Sequence, residues 1–216
     1  FAISGEPVKN ASQNRLKELQ RQGARVVAAS QNSIYRQVFT LGRETEESGL
    51  YVTSFATHGF SDQGSDFLIA QDTLFRRPAR TGVALDELLD DASKAGSNKR
   101  IILVDACRER LTEDTRDARN TAPPMTESCS DALSKASGFA VLCGSTIGGY
   151  SFDSSEMMNG VFTAALLHGL DGEAKAEHEG YITISDLASH ANLEVNKWVN
   201  IHRPESATKS QGITFR

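Results

Sequence analysis

The sequence predicts an α/β domain built on a mostly parallel sheet, and three observations carry that expectation. Short apolar runs suited to fully buried strands recur at residues 50–56, 101–104 and 139–143. Amphipathic stretches precede or follow them. The resulting order of helix, strand, helix, strand requires crossover connections, which join parallel strands. At 216 residues the chain is long enough for one well-cored domain, and no shift in composition marks a second, so residues 1–216 read as a single domain.

Taken in order, residues 11–22 carry Leu16 and Leu19 among polar neighbours and stop at Gly23, a residue suited to the left-handed end of a helix. The apolar stretch 24–29 then reads as a strand. Residues 50–56 are rich in β-branched and aromatic side chains, which fit a pleated surface. Ser61-Asp62-Gln63-Gly64 is a turn sequence, and Phe67-Leu68-Ile69 a short strand after it. Residues 83–95 form an amphipathic helix through Leu85, Leu88, Leu89 and Ala92, closed by Gly96 and leading into the strand 101–104. From 109 to 130 the apolar pattern vanishes and Pro123-Pro124 appears. Long loops of this kind are uncommon in compact domains and usually functional or mobile; this one begins directly after Cys107 and is a candidate activation loop. A strand at 139–143 and a helix at 161–167 follow. Thr183 or Ser185 caps a last helix that presents Leu187, Ala191, Val195 and Trp198 on one face.

Charge excludes several partners. Net charge is −5, with Lys and Arg scattered among more numerous acids, so no basic stripe suggests nucleic acid or a membrane surface. Cys107, Cys129 and Cys143 are an odd number without metal-ligand spacing, which fits free thiols in a reducing cytoplasm. No apolar run approaches a membrane span, and the first residues lack the pattern of a secretory leader. A chain opening on Phe1 rather than Met reads as a piece or a processed product.

Cys107 and His58 carry the chemistry. Each lies just past an apolar strand, His58 in Ala56-Thr57-His58-Gly59 and Cys107 in Asp105-Ala106-Cys107-Arg108. Alone, such a cysteine is ordinarily a small buried hydrophobe and such a histidine structural. Together the two residues point to nucleophilic catalysis, because sites in open α/β sheets gather beyond the carboxyl ends of the strands.

At these residues the chain resembles the caspase and metacaspase group of cysteine peptidases. Three ordered blocks carry the resemblance: the histidine-glycine motif with Phe67-Leu68-Ile69 and Asp72 following; the cysteine motif about 50 residues on; and Gly149-Tyr150-Ser151-Phe152-Asp153 with Gly160-Val161-Phe162-Thr163 and the helix to Leu170. Arg108 is followed by Glu109 where caspase motifs continue with glycine. The resemblance implies a caspase-like (caspase-hemoglobinase) three-layer α-β-α sandwich. It implies a cysteine endopeptidase in which Cys107 is the nucleophile, His58 the general acid/base, and the backbone N–H groups of Gly59 and Cys107 the oxyanion hole.

Specificity follows from the same comparison. Aspartate-specific caspases carry Gln two residues before the nucleophile and Arg in the substrate loop; Asp105 and Asp153 stand at those positions here. Two carboxylates repel an incoming aspartate and attract a cation, so cleavage after Arg or Lys is expected, with Asp105, Asp153 and Ser151 binding substrate. Self-cleavage at Arg110, Arg116 or Arg119 would then be available. No cofactor and no metal site are expected; calcium dependence, which the resemblance to metacaspases leaves open, has no Asp-x-Asp-x-Asp-Gly pattern to support it. Expected partners are protein or peptide substrates and a regulatory sensor domain or partner protein. Two rivals stand beside the peptidase. One is a catalytically silent caspase-like scaffold, against which the retained pair argues; the other is a flavodoxin-like binding domain, which would call for a phosphate-binding loop that the sequence lacks.

Overall fold

In the computed structural model, which describes residues 2–4, 10–74, 76–108, 139–144, 160–176, 180–204 and 214–215, the chain opens with β1 (Ala2–Ser4), α1 (Asn10–Arg21) and β2 (Arg25–Val27). Gly23, at φ +95, ends α1 in the left-handed conformation expected of it. There follow α2 (Gln31–Glu44), β3 (Leu50–Asp62), β4 (Ser65–Leu68), α3 (Pro78–Thr81), β5 (Val83–Ala84), α4 (Leu85–Ser93) and β6 (Lys99–Arg108). The second half supplies β7 (Phe139–Cys143), α5 (Val161–His168) with a π-helical turn at Gly169–Glu173, α6 (Ile184–His202) and β8 (Thr214–Phe215).

The main sheet has the order β5-β4-β3-β6-β7-β8. Its centre, β3-β6-β7, is parallel, while β4, β5 and β8 pair antiparallel at the flanks. β1 and β2 form a separate parallel pair.

Strand alternation sorts the core into two halves. Ile102, Val104 and Ala106 of β6 and Val141 and Cys143 of β7 face α2 and α4, where they meet Val38, Leu85, Leu88, Leu89 and Ala92. Their neighbours Leu103, Ala140 and Leu142 face α5 and α6, against Phe162, Leu166, Leu187, Ala191 and Val195. Helices on both faces of a mixed sheet with a parallel centre make the expected α/β three-layer fold, with antiparallel strands at its flanks.

Several features of the fold refine the sequence reading or fall outside it. α2 is held by Ser30, whose side chain accepts from the N–H of Ser33, and Asp72 caps the same helix end by accepting from the N–H of Gln31 at 2.8 Å. Residues 83–84, read as helix, are the strand β5 before α4 begins. β3 runs through to Asp62 rather than stopping near residue 58, and turns at Gln63 (φ 48) and Gly64 (φ 84), the paired positive φ values of a tight hairpin. Thr183 is the cap of α6, in a reciprocal capping box with Asp186.

Tyr51 joins β3 to α2: it is 3% exposed and donates to the carbonyl of Val38 at 3.0 Å. Burial first, and the Asp91 carboxylate second, push its phenol from 10.0 up to about 12. A raised acid pKa means that the folded state favours the neutral phenol. The stability this contributes is complete below pH 10.0 and is lost as pH rises through about 12. Tyr51→Phe is therefore expected to be about 1 kcal/mol less stable at pH 8, yet to lose less stability than wild type between pH 10 and 12. Urea midpoints across that range test this, and parallel declines would refute it. Gly144 lies at the end of β7, donating to the carbonyl of Val104 at 2.9 Å, and a Cβ there would stand 2.9 Å from both Cβ and Cγ of Phe162. Gly144→Ala is expected to cost about 1–3 kcal/mol by overpacking; an unchanged unfolding midpoint would mean that α5 yields freely.

Candidate active site

The parallel pairing of β3 with β6 runs from Leu50↔Lys99 to Gly59↔Arg108, and within it His58 is the direct partner of Cys107 and Ala56 the partner of Asp105. Positions 56, 58, 105 and 107 therefore share one face, the face on which α5 packs. His58 is exposed. The backbone of β6 is described through Arg108, while the side chains of Cys107 and Arg108 lie outside the described residues.

What ends at His58-Gly59 is the parallel pairing, because β3 itself continues into the hairpin with β4. Gly59 is consequently flanked on both sides, by Arg108 and by Leu68. The N–H of Ile69 donates to the carbonyl of His58 at 2.8 Å, and Thr57 Oγ1 donates to the carbonyl of Ile69 at 2.8 Å. The histidine is thus carried on a rigid interior strand rather than on a loose strand end.

The face around it is open. Leu50 and Val52 are 60% and 49% exposed, and Ser54, Ala56 and His58 continue the exposed row to the end of the parallel pairing. On the neighbouring strand the same face is covered, and Asp105 is 7% exposed. A carboxylate so buried requires hydrogen-bonded partners. Asp105 Oδ2 accepts from the backbone N–H of Thr163 at 3.2 Å and from the hydroxyl of the same residue. Thr163 is the third residue of α5, whose N-cap is Gly160, a residue with no side chain to offer. Asp105 thus supplies from β6 the oxygen that an N-cap serine or aspartate ordinarily supplies from within the helix, and its charge suits that end of the helix dipole.

Of the other residues singled out in the sequence, Ser151, Asp153, Arg110, Arg116, Arg119 and Cys129 lie outside the described residues, as does the stretch 109–130. Cys143 is buried in the core against α2 and α4. His168 and His202 are exposed on α5 and α6, His190 is half-buried on α6, and His178 lies outside the described residues. Among the described residues no cluster of three His, Cys, Asp or Glu side chains could hold a metal, and no helix is long and apolar enough to cross a membrane. Sequence reasoning quoted Gly160 and Thr163 as part of a block but missed their contact with Asp105. The one signal available was the lack of any capping side chain at the start of that helix.

The sequence profile of the caspase domain, peptidase C14, matches residues 10–212. No curated protein matches this chain. Among solved structures, caspase-1 from Spodoptera frugiperda superposes with a TM-score of 0.53 at 18% identity, over 96% of this chain and 78% of that one. A protein from Geobacter sulfurreducens superposes with a TM-score of 0.53 at 15% identity, over 95% of this chain and 81% of that one. These two likenesses are of fold; the profile match extends over nearly the whole sequence, and the chain belongs to the caspase-domain family of peptidase C14.

Proposed function

We propose that the chain is a cysteine endopeptidase that cleaves proteins after Arg or Lys, with Cys107 as nucleophile and His58 as general acid/base. The observation that supports this reading most directly is the register pairing of His58 with Cys107 on one face, where the parallel part of the sheet ends. A free thiol with a pKa of about 8.5 is a few per cent thiolate at neutral pH, and the thiolate is intrinsically very nucleophilic.

In the proposed reaction the Cys107 thiol passes its proton to His58 as its sulfur attacks the scissile carbonyl carbon, the C=O π bond opens, and the oxyanion that forms is met by the N–H groups of Gly59 and Cys107. Collapse of this intermediate breaks the C–N bond only when the nitrogen is protonated, and His58 supplies that proton. The remaining thioester is hydrolysed by a water from which His58 removes a proton, and expulsion of the thiolate regenerates the enzyme. Every step uses protein groups and water. Asp105, with Asp153 and Ser151, receives the P1 side chain; its negative charge matches a guanidinium or ammonium and opposes a carboxylate. The proposal extends to cytoplasmic action, and to self-processing at Arg110, Arg116 or Arg119.

Initial rates on fluorogenic peptides that differ only in P1 test the reading. Wild type is expected to cleave after Arg and Lys and to leave Asp at background; Cys107→Ala should abolish cleavage, and His58→Ala should lower kcat by about 10²–10⁴-fold. Cleavage after Asp would overturn the basic specificity while keeping the mechanism. Absence of cleavage in every peptide, with and without calcium, would favour a caspase-like scaffold.

A further inference from the structure

We infer that Thr163 is the positioning residue for the acid that reads the P1 cation, and that Gly160 is the space which lets it do so. The inference rests on the basic P1 reading above. It starts from the geometry of one carboxylate: Asp105 stands two residues before Cys107 on β6, at 7% exposure. Thr163 reaches a single oxygen of that carboxylate, Oδ2, with both its backbone N–H and its hydroxyl. A carboxylate is planar, so fixing Oδ2 against a helix end also fixes the direction of Oδ1.

Gly160 shapes the other side of the same group. An ideal Cβ at position 160 would stand 2.5 Å from Asp105 Oδ2, 3.2 Å from Cγ and 3.3 Å from Oδ1. Real Cβ atoms do not approach so closely, and the clash falls on a buried carboxyl that has little room to turn. The φ of Gly160, −56, is ordinary for any residue. What requires glycine here is the close approach of the carboxylate rather than the backbone conformation.

These two residues thus account for the spacing Gly160-Val161-Phe162-Thr163 in the third sequence block. Glycine admits the carboxylate at the helix start, and the third residue of the helix, whose N–H has no partner within the helix, receives it. The threonine hydroxyl adds a second bond that serine could supply and valine could not. A charge-assisted hydrogen bond of this kind sets the orientation of its acceptor, and orientation is what a bidentate partner such as guanidinium senses. Loss of the hydroxyl is therefore expected to act on recognition of the P1 cation in particular.

The experiment compares wild type, Thr163→Val and Thr163→Ser on two peptides identical except for arginine or its neutral isostere citrulline at P1. Thr163→Val should lower kcat/KM on the arginine peptide about tenfold, chiefly through KM. Turnover of the citrulline peptide should stay close to wild type, so the ratio of the two narrows by about the same factor. Thr163→Ser should restore most of the ratio, and Gly160→Ala should narrow it as Thr163→Val does. The citrulline rate shows in each variant that the protein is folded. Equal losses on both peptides, an unchanged ratio, or a serine variant no better than valine would overturn the inference while leaving the basic specificity standing. A wild type with no preference for arginine over citrulline would instead overturn the specificity, and the inference with it.

Discussion

Between β3 and β6 ten residues run in unbroken parallel register, and the positions on the rest of the sheet follow from that pairing. Both faces of β6 are packed, with Ile102, Val104 and Ala106 toward α2 and α4 and Leu103 toward α5 and α6. A slip of one residue would exchange the two sets and carry Asp105 into the apolar layer against α4. Burial therefore specifies the register strongly, and the same register sets His58 opposite Cys107. The precision of the proposed site is inherited from the core.

That arrangement creates a difficulty which the second half of the chain resolves. Alternation along β6 puts an acid, Asp105, at a covered position, where an unpartnered carboxylate would cost several kcal/mol. The start of α5 has the opposite need, since its first N–H groups lack acceptors and its N-cap is a glycine. Bringing the two together satisfies both. It also ties the part of the chain that carries Cys107 to a helix more than fifty residues later, so that neither half of the site is set independently of the other.

The sequence made the central elements legible where one periodicity dominated. β7 is found at the expected residues, α4 presents the expected Leu85, Leu88, Leu89 and Ala92, and Thr183 caps the last helix. Elsewhere the deciding interactions are long-range or too short to leave a pattern. The spacing of Ile34, Tyr35, Val38 and Leu41 does carry a helical signal for α2, but its start also depends on Asp72, 41 residues away. β3 outlasts its apolar run because β4 pairs with Gly59, Phe60, Ser61 and Asp62, so polar residues at its end are strand by virtue of a partner. At the site, the adjacency of His58 and Cys107 was readable from two strand ends, whereas the clasp of Thr163 on Asp105 depends on a helix packing that no local pattern encodes.

The rims of the sheet have a consequence of their own. β5 and β8, the outermost strands, are two residues long each, and both run antiparallel to their inner neighbours. An edge strand is a template for unwanted pairing in proportion to the length of flat ladder it offers. Among the described residues each outer strand offers a stub, while the long β6 is interior to the sheet. Residues 100–104 of β6, paired with β3 on one side and β7 on the other, are thereby held where another molecule can reach their backbone only after the sheet has opened.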